Sequence, residues 1–348
     1  MTRFLGATLP ELADALQSPA RARAALRWVY AQPALPPVLP SRLPGVATAP
    51  WTAFAARATW APPTLHARTV GADGTTKYAL GFGPTVVETV RIPARGRSTV
   101  CVSSQAGCTR RCVFCATQTL GFTRQLTADE IVAQFLVARA EAPRDAPARN
   151  VVFMGMGEPM DNLDEVLRAV HVLTQAPAPQ LRAQSVTVST SGVLPGMRRF
   201  LRESRASLAL SLNATTDETR ARLMPHDRIW PIADLLELLR TAAAREPERL
   251  CFVEYVLFDG VNDTDADADR LVALLAAVPA RVNLIPHNPF PGGDLRAPSA
   301  ERLHAFQARV VGQGQRCMVR WPRGRDIAAA CGQLVLAGNA EGFATASA

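Results

Sequence analysis

Three cysteines within eight residues carry the densest chemistry of this 348-residue chain. Cys108-Thr-Arg-Arg-Cys112-Val-Phe-Cys115 spaces them as C-x3-C-x2-C, directly after the apolar run TVCVSS at 99–104. Three thiolates on one loop suit three irons of a cubane iron–sulfur cluster and leave the fourth iron open to a small molecule. An electron-carrier ferredoxin would bring a fourth cysteine, for which Cys101 on the preceding strand is poorly placed. A structural zinc site would bring a second ligand pair, and no second C-x2-C exists here. Unrelated core thiols are the third alternative.

The chain has seven cysteines in all, an odd number that argues against a secreted disulfide framework. Cys251 and Cys317 open apolar segments and read as core residues. Cys101 in an apolar strand and Cys331 in Ala-Ala-Cys-Gly-Gln-Leu would by themselves read the same way. Gly155-Met-Gly157-Glu158-Pro159 follows one strand after the cysteine triplet. Alone it is a glycine-rich turn; in that position it is a candidate ligand-binding strand end.

These groups need a scaffold. Strands are expected at 99–104, 150–155, 185–190, 207–213, 251–258, 281–286 and 317–321. Helices are expected from Thr127, where Thr-Ala-Asp-Glu130 forms a capping box, and at 163–174, 217–223, 232–245, 266–277 and 299–312. Strands that are continuous apolar runs alternating with helices predict a parallel sheet, in an α/β barrel or partial barrel with chemistry at the carboxyl ends of its strands. Residues 1–60 read as a small helical accessory region with a Pro-rich extended connector at 32–45, and 61–97 as connecting strands with a turn at Asp73-Gly74. The barrel is expected over 98–338 and a disordered tail over 339–348.

Composition narrows the class. At 48% hydrophobic and 20% charged residues the chain is globular. No apolar run approaches the roughly 18 residues of a membrane helix, and the start MTRFLGATLPELADAL lacks a signal-peptide core. A cytoplasmic protein is expected. The net charge is +8, and only one of the 38 basic residues, Lys77, is lysine. Arginine forks bind phosphate, so a polyanionic partner fits, as does plain compositional bias.

The triplet, with Phe114 before its last cysteine, resembles the signature of the radical S-adenosylmethionine (SAM) superfamily, and GMGEP resembles that superfamily's "GGEP" motif. The likeness narrows to the RlmN/Cfr family of RNA adenosine methyltransferases. It is carried by VETVRIP (87–93), CVSSQAGCTRRCVFCATQTLGF (101–122), VVFMGMGEPMDN (151–162), VTVSTSG (186–192), LALSLNA (208–214), RLMP (222–225), FVEYVLFDGVND (252–263), VNLIPHNPFPG (282–292) and PRGRDIAAACGQL (322–334). The resemblance implies a partial (β/α)6 TIM-like barrel with a small N-terminal helical domain. It implies one [4Fe-4S] cluster on Cys108, Cys112 and Cys115, and SAM contacts at Gly157, Glu158, Ser189, Ser211, Leu212, Asn213 and Asn288.

Carbon 2 or carbon 8 of adenine is too poor a nucleophile to take a methyl from SAM directly. The resemblance implies a protein thiol as carrier. Cys331 would be methylated by one SAM, and the deoxyadenosyl radical from a second would activate the S-methyl group. The carbon radical then adds to adenine. Glu88 would take a proton from the RNA–protein adduct, and Cys101 would resolve it through a transient disulfide with Cys331. The implied partners are ribosomal or transfer RNA and an electron donor such as flavodoxin or ferredoxin, with no membrane and a monomeric enzyme. Carbon 2 is the expected target. Carbon 8, or an iron–sulfur RNA-binding or redox protein without methylation, are the alternatives.

Three positions depart from the family's common pattern: Asn213, Arg325, six residues before Cys331, and His226, which reads as a surface loop residue. Arg21, Arg23, Trp28 and Tyr30 align with a helix that relatives turn toward RNA, though the two aromatics read as packing residues. Arg110 and Arg111 in the cysteine loop would be solvated or would meet phosphate.

Overall fold

The computed structural model describes residues 2–177 and 179–335; the expected tail lies outside them. Strand β1 (Thr2–Arg3) pairs with β2 (Ala58–Thr59), and helices α1 (Leu9–Ala15), α2 (Pro19–Ala31) and α3 (Thr48–Ala55) fill the span between. Thr8 and Glu11 close a capping box at the start of α1. This region shares its core with the rest of the molecule: Phe4, Trp51 and Phe54 are buried and stack edge-on.

Strands β3 (Thr64–Val70), β4 (Thr76–Phe82) and β5 (Thr85–Ala94) form an antiparallel meander that β6 (Arg97–Cys101) joins. A small ribbon, β7 (Gln105–Gly107) with β8 (Phe122–Gln125), flanks the cysteine loop. From β6 onward the chain alternates strand and helix. The order is α4 (Ala128–Ala140), β9 (Ala148–Phe153), α5 (Leu163–Thr174), β10 (Val186–Thr190), α6 (Leu194–Glu203), β11 (Ser207–Ser211), α7 (Asp217–Leu223) and α8 (Ile232–Arg245). It continues through β12 (Cys251–Leu257), α9 (Asp265–Leu275), β13 (Arg281–Pro286), α10 (Ala300–Gly312) and β14 (Cys317–Val319).

One ten-stranded sheet holds β3–β6 and β9–β14, and its spatial order is its chain order. The seven strands from β6 to β14 are parallel, linked by six helical crossovers; β3–β5 extend the sheet antiparallel beyond β6. This is the expected α/β architecture, with the connecting strands built into the main sheet. Helix α4 starts at the expected capping box, where Glu130 accepts from Thr127 N at 2.8 Å. Helix α6 was not expected. Pro195 and Gly196 disguise it, yet proline suits the first turn, and a Cβ on Gly196 would come within 2.6 Å of Met160 Cβ. The strand expected to run to 213 stops at Ser211, because Asn213 is left-handed at φ 59°.

After β14 the chain runs back to the opposite edge of the sheet. Arg323 Nε donates to Asp73 Oδ2 at 2.7 Å, and Asp326 Oδ2 accepts from Ala72 N at 2.8 Å, both in the β3–β4 turn. A sheet open in its hydrogen bonds is thus closed by a side-chain latch, and the latch segment carries Cys331.

Candidate active site

Cys108, Cys112 and Cys115 line one cavity at the carboxyl ends of the parallel strands, with Gly157, Glu158, Ser189, Ser211, Asn288 and Cys331. Burial pushes the Cys108 thiol up to about 12 and raises Cys112 and Cys115 as well. Among the described residues no three Cys, His, Asp or Glu side chains converge on a single metal ion. A cubane would take three such thiolates, each on a different iron.

The cysteine loop is pinned by Arg110, not left to solvent. Arg110 pairs with Asp161 at 2.5 Å and with the fully buried Asp227 at 3.3 Å, and its guanidinium lies 5.6 Å over Trp230. Thr109 Oγ1 donates to Asp161 as well, and His226 approaches the Thr109 carbonyl at 3.0 Å from an exposed position. Arg111 is exposed.

The GMGEP turn owes its glycines to close packing. A Cβ on Gly155 would sit 2.7 Å from Ser103 Oγ, and one on Gly157, at φ 102°, would sit 2.6 Å from Gln105 Cβ. Glu158 behind it is buried and accepts from Met160 N at 3.0 Å and Ser191 N at 2.8 Å. Burial raises its carboxyl to about 7 against the pull of those N–H groups. On the opposite wall Asn288 Oδ1 and His287 Nε2 are buried without partners, two polar atoms left for a ligand. Burial lowers His287 to about 4, which keeps its ring neutral. A glycine-lined turn, small hydroxyls and unpaired polar atoms suit the donors and acceptors of SAM.

Leu212 and Asn213 lie behind this wall. Leu212 is fully buried, and Asn213 spends its side chain inside the protein: Oδ1 accepts from Val256 N at 2.9 Å. Neither lines the cavity.

Cys331 stands between this cavity and a second one of about 600 Å³ on the far side of the barrel interior, which also reaches Cys101. The two cavities share Met154, Glu254, Ile285, Asn288 and Cys331. Cys331 is exposed, but onto these cavities; burial, then Glu254 and Cys115, still push its thiol up to about 11. Its backbone carbonyl accepts from Asn288 Nδ2 at 3.1 Å. Cys101 is buried, its thiol raised by burial and by the charge of Cys331. All seven cysteines are free thiols in this structure, so no disulfide joins the pair. Glu88 lies across β5–β6 from this point, 2% exposed and paired with Lys77 at 2.9 Å.

Residues 102–272 match the radical SAM superfamily. The dual-specificity RNA methyltransferase RlmN of Paracoccus denitrificans is 46% identical over 284 residues, which span 78% of this chain and 72% of that protein. The chain belongs to the RlmN family of radical SAM RNA methyltransferases. A probable RNA methyltransferase of Sorangium cellulosum is 50% identical over 265 residues, 75% of this chain and 66% of that protein's length. A solved radical SAM methyltransferase from Sphaerobacter thermophilus superposes with a TM-score of 0.87 at 38% identity, over 96% of this chain and 99% of its own.

Sequence reasoning passed over Glu254. It is a lone carboxylate in the apolar strand CFVEYVL, buried in the wall between the cavities, where Oε1 accepts from Asn283 Nδ2 at 2.8 Å. Burial raises it to about 7, against the Asn283 hydrogen bond and the Arg320 charge. The unpaired charge within a continuous apolar run was the available signal. In the RlmN-family N-terminal region, Tyr30 is buried and Trp28 packs on Trp60 at 6.3 Å, so neither aromatic is presented as a stacking platform.

Proposed function

We propose that this RlmN-family enzyme methylates an adenosine of RNA at carbon 2, with Cys331 as methyl carrier and two SAM consumed per turnover. One observation carries the reading: Cys331 lies between a cavity lined by the three loop thiols and the GMGEP turn and a second cavity that reaches Cys101. A carrier thiol needs access to a methyl donor on one side and an acceptor on the other. Cys108, Cys112 and Cys115 hold the cluster, and Gly157, Glu158, Ser189, Ser211 and Asn288 hold SAM beside it. The bound cluster supplies the electron that cleaves SAM to the radical which activates the S-methyl group.

The remaining steps belong to protein side chains. Cys331 Sγ takes the methyl group by displacement. Once the adenine carbon is joined through the methylene to Cys331, Glu88 takes its proton, and the unpaired electron of the adduct would pass to a one-electron acceptor such as the oxidised cluster. Cys101 attacks Cys331 Sγ, forming an S–S bond and breaking the C–S bond to RNA. The bonding pair leaves with the methylene, and a proton completes the methyl group. A dithiol reductant resets the disulfide, which places the enzyme in the cytoplasm. The enzyme acts as a monomer. No helix among the described residues is long and apolar enough to cross a membrane.

The RNA is ribosomal or transfer RNA with an unstacked adenosine. The 1–60 region contributes exposed Arg23 and Arg27 from α2 to its phosphates. Flavodoxin or ferredoxin serves as the electron donor. Reconstituted protein, incubated without oxygen with RNA, SAM and reductant, is expected to yield 2-methyladenosine by nucleoside mass spectrometry. 8-Methyladenosine would move the target to carbon 8. No methyladenosine with the cluster intact, across both RNA classes, refutes the reading. So does a Cys331→Ala variant with undiminished product.

A further inference from the structure

Of 38 basic residues 37 are arginine, and the one lysine, Lys77, is buried. It is on β4, the neighbour of edge strand β3, at the end of the sheet that the latch segment closes. Its Nζ lies 2.9 Å from Glu88 Oε1 and donates to the Ala328 carbonyl at 3.2 Å. Glu88 is on β5; Ala328 is left-handed at φ 49° and three residues before Cys331. One buried ammonium thus ties two segments separated by 240 positions, since Glu88 and Ala328 are those far apart in sequence. Glu88 Oε2 is buried and has no hydrogen-bond partner.

A buried carboxylate with one oxygen held and the other unpartnered is costly unless the free oxygen has work to do. An ammonium is a compact point charge that addresses a carboxylate and a carbonyl from one atom, whereas a guanidinium spreads its donors over a rigid fork. That distinction accounts for lysine here in a chain that uses arginine everywhere else.

We propose that Lys77 is a positioning residue that holds Glu88 by Oε1, with the Ala328 carbonyl fixing the direction of the ammonium, and leaves Glu88 Oε2 as the oxygen that receives the proton from the RNA adduct. The inference rests on the reading of Glu88 as base. In that step the C–H bond at the substituted adenine carbon breaks, an O–H bond forms at Oε2, the bonding pair returns to the ring, and the unpaired electron left by radical addition passes to a one-electron acceptor, an oxidised iron–sulfur cluster.

The test uses the full chain with its cluster reconstituted, and measures three quantities in parallel: methyl on Cys331 by peptide mass spectrometry, RNA–protein cross-link by gel, and free methyladenosine. Lys77→Met is expected to load methyl within twofold of wild type, release methyladenosine more than tenfold slower, and accumulate cross-link. Lys77→Gln, which keeps a polar head without the charge, is expected to show the same split if the methionine variant folds poorly. Asp326→Asn is the comparator. It loosens the same segment at the Ala72 contact without touching Glu88, and should slow loading and release together. Lys77 variants that release product at the wild-type rate overturn the proposal. So do variants in which loading and release fall by one factor, or an Asp326→Asn that builds the same cross-link. A wild type that makes no methyladenosine refutes the function itself, and the lysine's role with it.

Discussion

The cluster end of the site and its latch end are built by opposite means. Cys108, Cys112 and Cys115 come from one short loop clamped by Arg110 onto Asp161 and a fully buried Asp227. Cys331 arrives on a segment that crosses from the last strand to the β3–β4 turn and is held there by surface-facing contacts such as Arg323–Asp73. The first arrangement buries its charges and is hard to loosen without losing the metal site. The second adds partly solvated ion pairs to a few buried hydrogen bonds, such as Lys77 to the Ala328 carbonyl and Thr117 to the Leu334 carbonyl, so damage to the ion pairs is expected to show in methyl transfer before it shows in the cluster.

That contrast can be broken in descending order of effect. Replacing any one cluster thiol, as in Cys112→Ala, is expected to remove the visible iron–sulfur absorbance and lower methylation by about a thousandfold or more, equivalent to at least about 4 kcal/mol of barrier. Retained absorbance with full activity would remove the loop from the mechanism. Arg110→Ala leaves Asp227 buried with its main counter-charge gone, for an expected cost of about 3–5 kcal/mol in thermal or denaturant unfolding. Cluster content per chain should fall with it, and an unchanged content would show that the clamp is not what holds the loop.

Between the two ends stands Glu254, whose carboxyl is raised to about 7 from an ordinary value of 4.5. A raised carboxylate favours the folded state while protonated. Its contribution is therefore present below about pH 4.5 and is lost as pH rises to about 7, by about 3 kcal/mol. Glu254→Gln should flatten the wild-type fall in stability across that window; parallel curves would show that the group is ordinary. The smallest effect belongs to the latch. Partial burial raises the Asp73 carboxyl, but hydrogen bonds from Thr75, Gly324 and Arg323 outweigh it and hold the group down to about 2. Asp73→Asn is expected to cost about 1 kcal/mol at neutral pH, and less as pH falls through about 2, where the wild-type group itself takes up a proton. Methyl loading on Cys331 should slow severalfold while cluster absorbance stays at wild-type level, the signature that separates the two ends.

Legibility followed the same division. All seven parallel strands and the α4 capping box could be read from apolar runs and local spacing, because both are decided within a few residues. Helix α6 could not, since Pro195 and Gly196 suit its particular neighbours rather than helices in general. The cysteine loop was legible for the reason the strands were. Arg110, by contrast, looked like a solvated or phosphate-facing side chain, and only the fold brings Asp161 and Asp227 to it from 51 and 117 residues away. Glu88, Cys101 and Cys331 came from likeness to a family; nothing in their own neighbourhoods distinguishes them from core residues. Asn213 has a local explanation, as the left-handed residue that ends β11, which no spacing rule would have supplied.

A sheet whose neighbours in space are its neighbours in sequence can be laid down one strand at a time as the polypeptide emerges from the ribosome. Each new strand finds its partner already waiting beside it, so little chain entropy is spent on long loops. The exception is the latch, where Arg323 must find Asp73 across 250 residues. Cys331 on that segment is set in place only after almost the whole chain exists. An unfinished or C-terminally clipped chain would then hold the cysteine loop and the GMGEP turn without Cys331.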